Sequence, residues 1–270
     1  MNSMNRILTL TKVSFTAIAL TSTVAAFALT NWSVADFRDG NSTATQAAQD
    51  ISAWSTGGNS GKLRGACIHD YGSSGFGVVN LSESNPCTGE PGTGPHAADN
   101  YGGVDLFMLT FANKVDLESV TIGWNGTDNF SKGSDISVLA YTGKGQPASS
   151  TAPSTLTGQT LGLTGLLNTG WELVGHYGKV GSLTNNTAVI NSSISSSWWL
   201  VSAYSNSYGS AGVDKTGVLP TTGADYFKLM SVAGNVAPPD NKVPEPGSLA
   251  LAGVGLIGML AFSRRRKAQQ

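Results

Sequence analysis

Charge is scarce in this chain. Only 12% of its 270 residues are Asp, Glu, Lys or Arg, about half of the roughly 25% usual in soluble domains. The net charge is -1, and the only dense basic cluster, Arg264-Arg265-Arg266-Lys267, sits at the extreme C-terminus. Nothing there makes the positive face that nucleic-acid binding requires. His69, His96 and His176 are the only histidines and have no ligand spacing. Catalytic templates are also missing. There is no Gly-x-Ser-x-Gly elbow. Gly58-Asn59-Ser60-Gly61-Lys62 has the wrong spacing for a phosphate loop, with Leu63 where Ser or Thr is required. Glu83, Glu90, Glu118 and Glu172 are the only glutamates of the central region, and no spacing pairs two of them as a glycosidase would. No catalytic residue is assigned, and the protein is expected not to be an enzyme.

What is present argues for a folded β-protein. Hydrophobic residues make up 40%, with six Trp and 34 Gly, which excludes the low-hydrophobicity, high-charge signature of disorder. No stretch sustains helical periodicity. Runs rich in β-branched and aromatic residues recur at 49–54, 63–71, 75–81, 104–111, 115–124, 135–141, 171–180, 188–190, 198–204 and 226–232, separated by Gly, Asn, Ser and Pro clusters. This predicts one mainly β domain over 29–236, an antiparallel β-sandwich of jelly-roll type. In the fifth run Val115 and Leu117 share one parity, and Val120, Ile122 and Trp124 the other. Both sets reach the core only if an extra residue is inserted, so a β-bulge is predicted near Glu118-Ser119. The Gly-, Thr- and Leu-rich stretch 143–169 is expected to be a surface excursion with a short helix.

The ends are of another kind. Arg6 and Lys12 precede an apolar stretch from 13 to 27 and the small-x-small site Ala26-Phe27-Ala28, the pattern of a secretory signal peptide at 1–28, cut after Ala28. At the other end a Pro-rich linker at 237–243 leads to Pro244-Glu245-Pro246, an uncharged run at 248–263 and the basic tail at 264–267. That run is near the lower limit of about 17–25 residues for a single transmembrane helix. The positive-inside rule keeps the Arg-Arg-Arg-Lys tail cytoplasmic and puts the Pro-Glu-Pro segment outside. Two prolines keep that segment extended and accessible.

The order Val-Pro-Glu-Pro-Gly, apolar helix, basic tail over 244–270 resembles the PEP-CTERM sorting signal of Gram-negative bacteria. The resemblance implies export by the general secretion machinery, transient insertion in the inner membrane and processing by an exosortase near Pro244-Glu245-Pro246. It also implies residence at the cell surface or in the extracellular matrix, with a link to exopolysaccharide and biofilm. In the middle, His96-Ala97-Ala98-Asp99-Asn100, Val120-Thr121-Ile122-Gly123-Trp124, Trp171-Glu172-Leu173-Val174-Gly175-His176-Tyr177 and Asp225-Tyr226-Phe227-Lys228-Leu229 resemble a family of exosortase-dependent surface proteins. That likeness implies a β-rich exported domain and no reaction.

Candidate sites are few. Cys67 and Cys87, the only cysteines, read as a disulfide in an exported chain. Asp99, Asn100 and Asp105, with Asp128 and Asp135, offer oxygen ligands for a structural calcium. The preferred alternative is Asx-turn chemistry at strand ends, and no other cofactor is expected. Adjacent Trp198 and Trp199 point to opposite faces of a strand, so one ring could stack on a glycan while the other is buried. The expected protein is an exported, exosortase-processed, non-enzymatic surface or matrix protein associated with exopolysaccharide. The competing class is a secreted glycan-active enzyme or carbohydrate-binding module on the same scaffold.

Overall fold

The computed structural model describes residues 29–38, 48–58, 60–80, 83, 96–127, 133–146, 152–153, 155–209, 220 and 223–237. The expected signal peptide, and the sorting segment with the helix expected at 248–263, lie outside them. Among the described residues no helix is long and apolar enough to cross a membrane. The chain order is β1 (Thr30–Ser33), α1 (Val34–Arg38), β2 (Ala48–Ser55), β3 (Arg64–Asp70), β4 (Phe76–Val79), β5 (Ala98–Asp99), β6 (Asp105–Thr127), β7 (Ile136–Tyr141), β8 (Trp171–Tyr177), β9 (Thr187–Val189), β10 (Ser195–Ala203) and β11 (Asp225–Val236).

The strands form one antiparallel sheet in the order β1-β11-β4-β3-β2-β6-β10-β7-β8, with β5 on β11 and β9 on β6. A further pairing of β11 with β6 closes β11, β4, β3, β2 and β6 into a ring. A barrel-like core therefore stands in place of the two separate sheets of a sandwich. The reason lies in β6. The two runs expected at 104–111 and 115–124 are a single strand of 23 residues, about 75 Å if fully extended. Its first half pairs with β2 and β10, and its second half with β11 and β9. Ala112, Asn113 and Lys114 are exposed at the corner between the halves, where the register with β10 shifts between Ser196 and Trp198.

The predicted bulge is present. Ala233 pairs with Ser119 and Gly234 with Leu117, which leaves Glu118 as the extra residue. Its carbonyl accepts the amides of Ile190 and Asn191. Val115, Leu117, Val120 and Ile122 consequently all face the core, none more than 1% exposed. Trp124 does not join them. A second register shift, between the Phe227–Asn125 and Leu229–Ile122 pairs, leaves it half-buried.

The interior is filled by Phe76, Phe107, Phe111, Trp199, Phe227 and Leu229 with their β-branched neighbours. Trp32 of β1 and Phe37 of α1 close one end, edge-on against Phe111 at 5.1 and 5.3 Å. The amide and hydroxyl of Ser33 donate to Asp36 Oδ2 at 2.7 and 2.9 Å, fixing the entry to α1. A second apolar cluster lies on the outer face, where Leu106, Leu139 and Leu200 are covered by Leu156 and Leu166. Of the expected 143–169 excursion, the part from 155 to 169 is thus a lid over the sheet, with a short 3-10 turn at Leu166–Asn168. Expectation missed β1, with only Trp32 buried, and β5, two residues long.

Removing one residue from a bulge turns every later side chain to the opposite face. Deletion of Glu118 should turn Val120 and Ile122 outward and abolish cooperative thermal unfolding followed by circular dichroism. Glu118→Ala keeps the bulge and should lower the midpoint by no more than a few degrees.

Candidate functional site

Buried carboxylates gather at the end of β5 (Asp99), the starts of β6 (Asp105) and β11 (Asp225), and just before β7 (Asp135). Asp105 faces Ser55 across the β2–β6 ladder. The Asn80 side chain donates to Asp105 Oδ1 at 3.3 Å, and the Asp99 amide to Oδ2 at 3.4 Å. Asp99 Oδ1 in turn accepts the Tyr101 amide at 2.9 Å, an Asx turn. The Asn100 side chain donates to Asp225 Oδ2 at 3.1 Å and to the carbonyls of Tyr204 at 3.1 Å and Gly223 at 3.4 Å. It also accepts the Asp225 amide at 2.8 Å. Asp225 Oδ1 accepts the Asp135 amide at 2.8 Å, and Asp135 Oδ1 the Lys179 amide at 2.6 Å. One relay of side chains therefore ties together segments far apart in the chain.

Asp105 is fully buried and Asp99 nearly so. Burial, reinforced by the charge of Asp105, pushes the Asp99 carboxyl up to about 8. Burial likewise raises Asp105 to about 7, against the lowering hydrogen bond from Ser55. Such a pair holds a proton at neutral pH because two charges cannot both be desolvated so close together. Glu83 lies nearby, accepting the Asn80 amide at 2.9 Å and standing 3.8 Å from His96 Nδ1.

Asp99, Asn100 and Asp105 thus come together, joined through Asp225 to Asp135, while Asp128 lies outside the described residues. The fit to calcium is poor. The Asn100 amide nitrogen sits among three oxygens, and the carboxylates are turned onto backbone N–H groups. Among the described residues no group of three or more His, Cys, Asp or Glu is gathered as a metal site. Asp105 is 0% exposed, and neither Asp99 nor Asp105 lines the pockets beside Tyr101 and beside β8.

Above this relay lies an open pocket of about 410 Å³ lined by Asn100, Tyr101, Tyr204, Ser205, Asn206 and Gly223 among others. A second concavity of about 390 Å³, beside edge strand β8, is bordered by Lys144, Trp171 and Glu172. Of the two adjacent rings, one expected in the core and the other to stack, Trp199 is the fully buried one, and its Nε1 donates to the Ser196 carbonyl at 3.0 Å. A ring inside the core cannot meet a glycan. Trp198 is half-buried and packs edge-on against Tyr141 at 5.8 Å. His176 is buried, its Nδ1 2.8 Å from Ser137 Oγ and its ring 5.0 Å from Tyr204. Lys228 Nζ lies 3.4 Å from the centre of the Tyr71 ring and 5.4 Å from that of Trp124, an ammonium held by aromatic faces. Burial lowers its pKa.

Cys67 lies on β3 opposite Val79. Its expected partner Cys87 lies outside the described residues, as do Ala26, Ala28, Pro244, Glu245, Pro246 and the Arg264–Lys267 tail. Sequence reasoning missed Asp225, Asn80 and Tyr101. An Asp at the start of an apolar strand was the available signal for Asp225, whereas nothing local marks Asn80 or Tyr101.

Residues 242–267 match the family model of the PEP-CTERM protein-sorting motif. The chain carries this sorting signal. No curated protein and no solved structure matches the chain significantly.

The raised carboxyls set a direction for pH dependence. The folded state binds more protons than the unfolded chain between the ordinary Asp value of 3.8 and the raised values of about 7 and 8. Their contribution is therefore complete below about pH 4 and is lost as the pH climbs through the raised values. The thermal midpoint should fall from pH 5 to pH 8 in scanning fluorimetry. Asp105→Asn should flatten that decline, and an equally steep decline in the variant would refute the assignment.

Proposed function

We propose that this protein is a non-enzymatic component of the bacterial surface or extracellular matrix, delivered there by exosortase processing and associated with exopolysaccharide. The observation that carries this proposal is the sorting motif over residues 242–267, which makes the protein an exported exosortase target. Physical chemistry gives the tail its logic. Its strongly apolar residues contribute only about half a kcal/mol each to insertion, and Gly253, Gly255 and Gly258 offset part of that. Such a helix is a weak anchor. Arginines hold it from inside while Pro244-Glu245-Pro246 is displayed outside, as a membrane-embedded protease requires.

The absence of a catalytic role is supported by what surrounds the acids. Asp99 and Asp105 are occupied by structural hydrogen bonds, and the pocket beside Tyr101 is lined by amide, hydroxyl, aromatic, aliphatic and glycine residues with no acid or base among them. A surface of that kind binds better than it catalyses. We also infer a Cys67–Cys87 disulfide, which would stabilise the fold by about 3 kcal/mol through closure of a loop of roughly 20 residues.

Replacing Pro244-Glu245-Pro246 by alanines should leave an unprocessed, membrane-retained protein in a host with its exosortase. Fractionation and intact mass would show it, and normal release of that variant would refute exosortase processing. The same mass measurement on wild-type material should give a mature chain two hydrogens lighter than its reduced form.

A further inference from the structure

Tyr101 is the only exposed aromatic ring among the described residues, with 72% of its surface in solvent. A single exposed Tyr is ordinary, but the backbone beneath this one is held from every side. Asp99 fixes the Tyr101 amide, and Asn100 is bound by Asp225, Tyr204 and Gly223. On the far side the Val104 amide donates to Thr56 Oγ1 at 2.8 Å, and the Thr56 amide to the Val104 carbonyl at 3.1 Å. Gly103 packs so closely on Gly57 that any Cβ there would collide with its backbone. A solvent-facing ring does not need such bracing for stability. Bracing does remove the ordering cost that a mobile loop would incur on binding.

The ring borders the 410 Å³ pocket, within the range of about 300–1,000 Å³ typical of small-ligand sites. Ser205, Asn206 and Gly223 line the same pocket, and Gly223 brings backbone to its wall with no side chain. One apolar face beside a polar wall is the complement of a pyranose, which offers a C–H face to an aromatic ring and hydroxyls around its rim. The sign of the local field narrows the choice. Asp135 and Asp225 are both 1% exposed. After burial, their charges are what raise the pKa of Tyr204, which lines the same pocket. A field that opposes a phenolate there also opposes a carboxylated sugar.

We propose that this pocket binds a neutral pyranose residue of a surface polysaccharide, stacked on Tyr101 and hydrogen-bonded by the Ser205, Asn206 and Gly223 wall. The choice of a polysaccharide as the source rests on the surface-protein function proposed above. The site itself stands on Tyr101 and the pocket.

The test uses the full-length chain in detergent. Saturation-transfer NMR and titration would be run with cellobiose, lactose, diacetylchitobiose and digalacturonic acid as probes. At least one neutral disaccharide should bind in the millimolar range and digalacturonic acid should not. Tyr101→Ala should weaken binding about tenfold with an unchanged thermal midpoint, whereas Trp198→Ala should bind as wild type. The proposal is overturned if none of the neutral probes binds, if digalacturonic acid binds as well, or if Tyr101→Ala leaves affinity intact. Processing of the alanine variant at 244–246 is read separately. Absent sugar binding with normal exosortase dependence refutes the pocket alone, and the reverse refutes the sorting route alone.

Discussion

Strand β6 has to keep its apolar side chains on the inside while it runs from one half of the molecule to the other. A pleated strand alternates its faces without exception, and a strand of 23 residues cannot stay within one flat ladder while its sheet twists. The chain meets both demands with irregularities. An exposed corner at Ala112, Asn113 and Lys114 lets the first half leave β10, and Glu118 adds the residue that restores Val120 and Ile122 to the core. Ring closure follows, because the bent second half of β6 is brought to β11. Trp32 and Phe37 can then plug the end that Phe111 exposes.

Closure of the ring brings its strand ends together. There the buried carboxylates accept from backbone amides and from the side chains of Asn100 and Asn80. The result is specific as well as stabilising. Carboxylates accept from N–H groups at fixed angles, so Asp99, Asp135 and Asp225 define the loop positions that shape the pocket. Fold and surface are coupled at this point. The acids that hold the loops also set the negative field at Tyr204 and the placement of Tyr101.

Several features could be read directly from residue order. Alternation marked nearly every strand, because burial of one face imposes a period of two that survives in the residue types. The Glu118 bulge was readable for the same reason, as a change of parity within one apolar run. The lid over 155–170 was less legible. Its leucines look like a surface excursion until the outer face of β6, β7 and β10 is seen to carry Leu106, Leu139 and Leu200. The two tryptophans show the limit of parity. It says that Trp198 and Trp199 point to opposite sides, but not that a second apolar cluster waits on the outer side as well.

The export signal was determined by the sequence alone, since a transport and processing apparatus reads short contiguous patterns: Pro244-Glu245-Pro246, an apolar run and a basic tail in order. Contiguity makes such a signal independent of folding. The β class was determined in the same local way, by the spacing of apolar residues. Tertiary structure decided the closure of β6 on β11, the meeting of Asp99 with Asp105 and of Asn100 with Asp225, and the position of Tyr101 beside a polar pocket. Backbone ladders use the same N–H and C=O groups at every residue, so partners more than a hundred positions apart leave no mark on residue order. Only the folded chain, by excluding water from those carboxylates, turns them from turn residues into the brace of the pocket beside Tyr101.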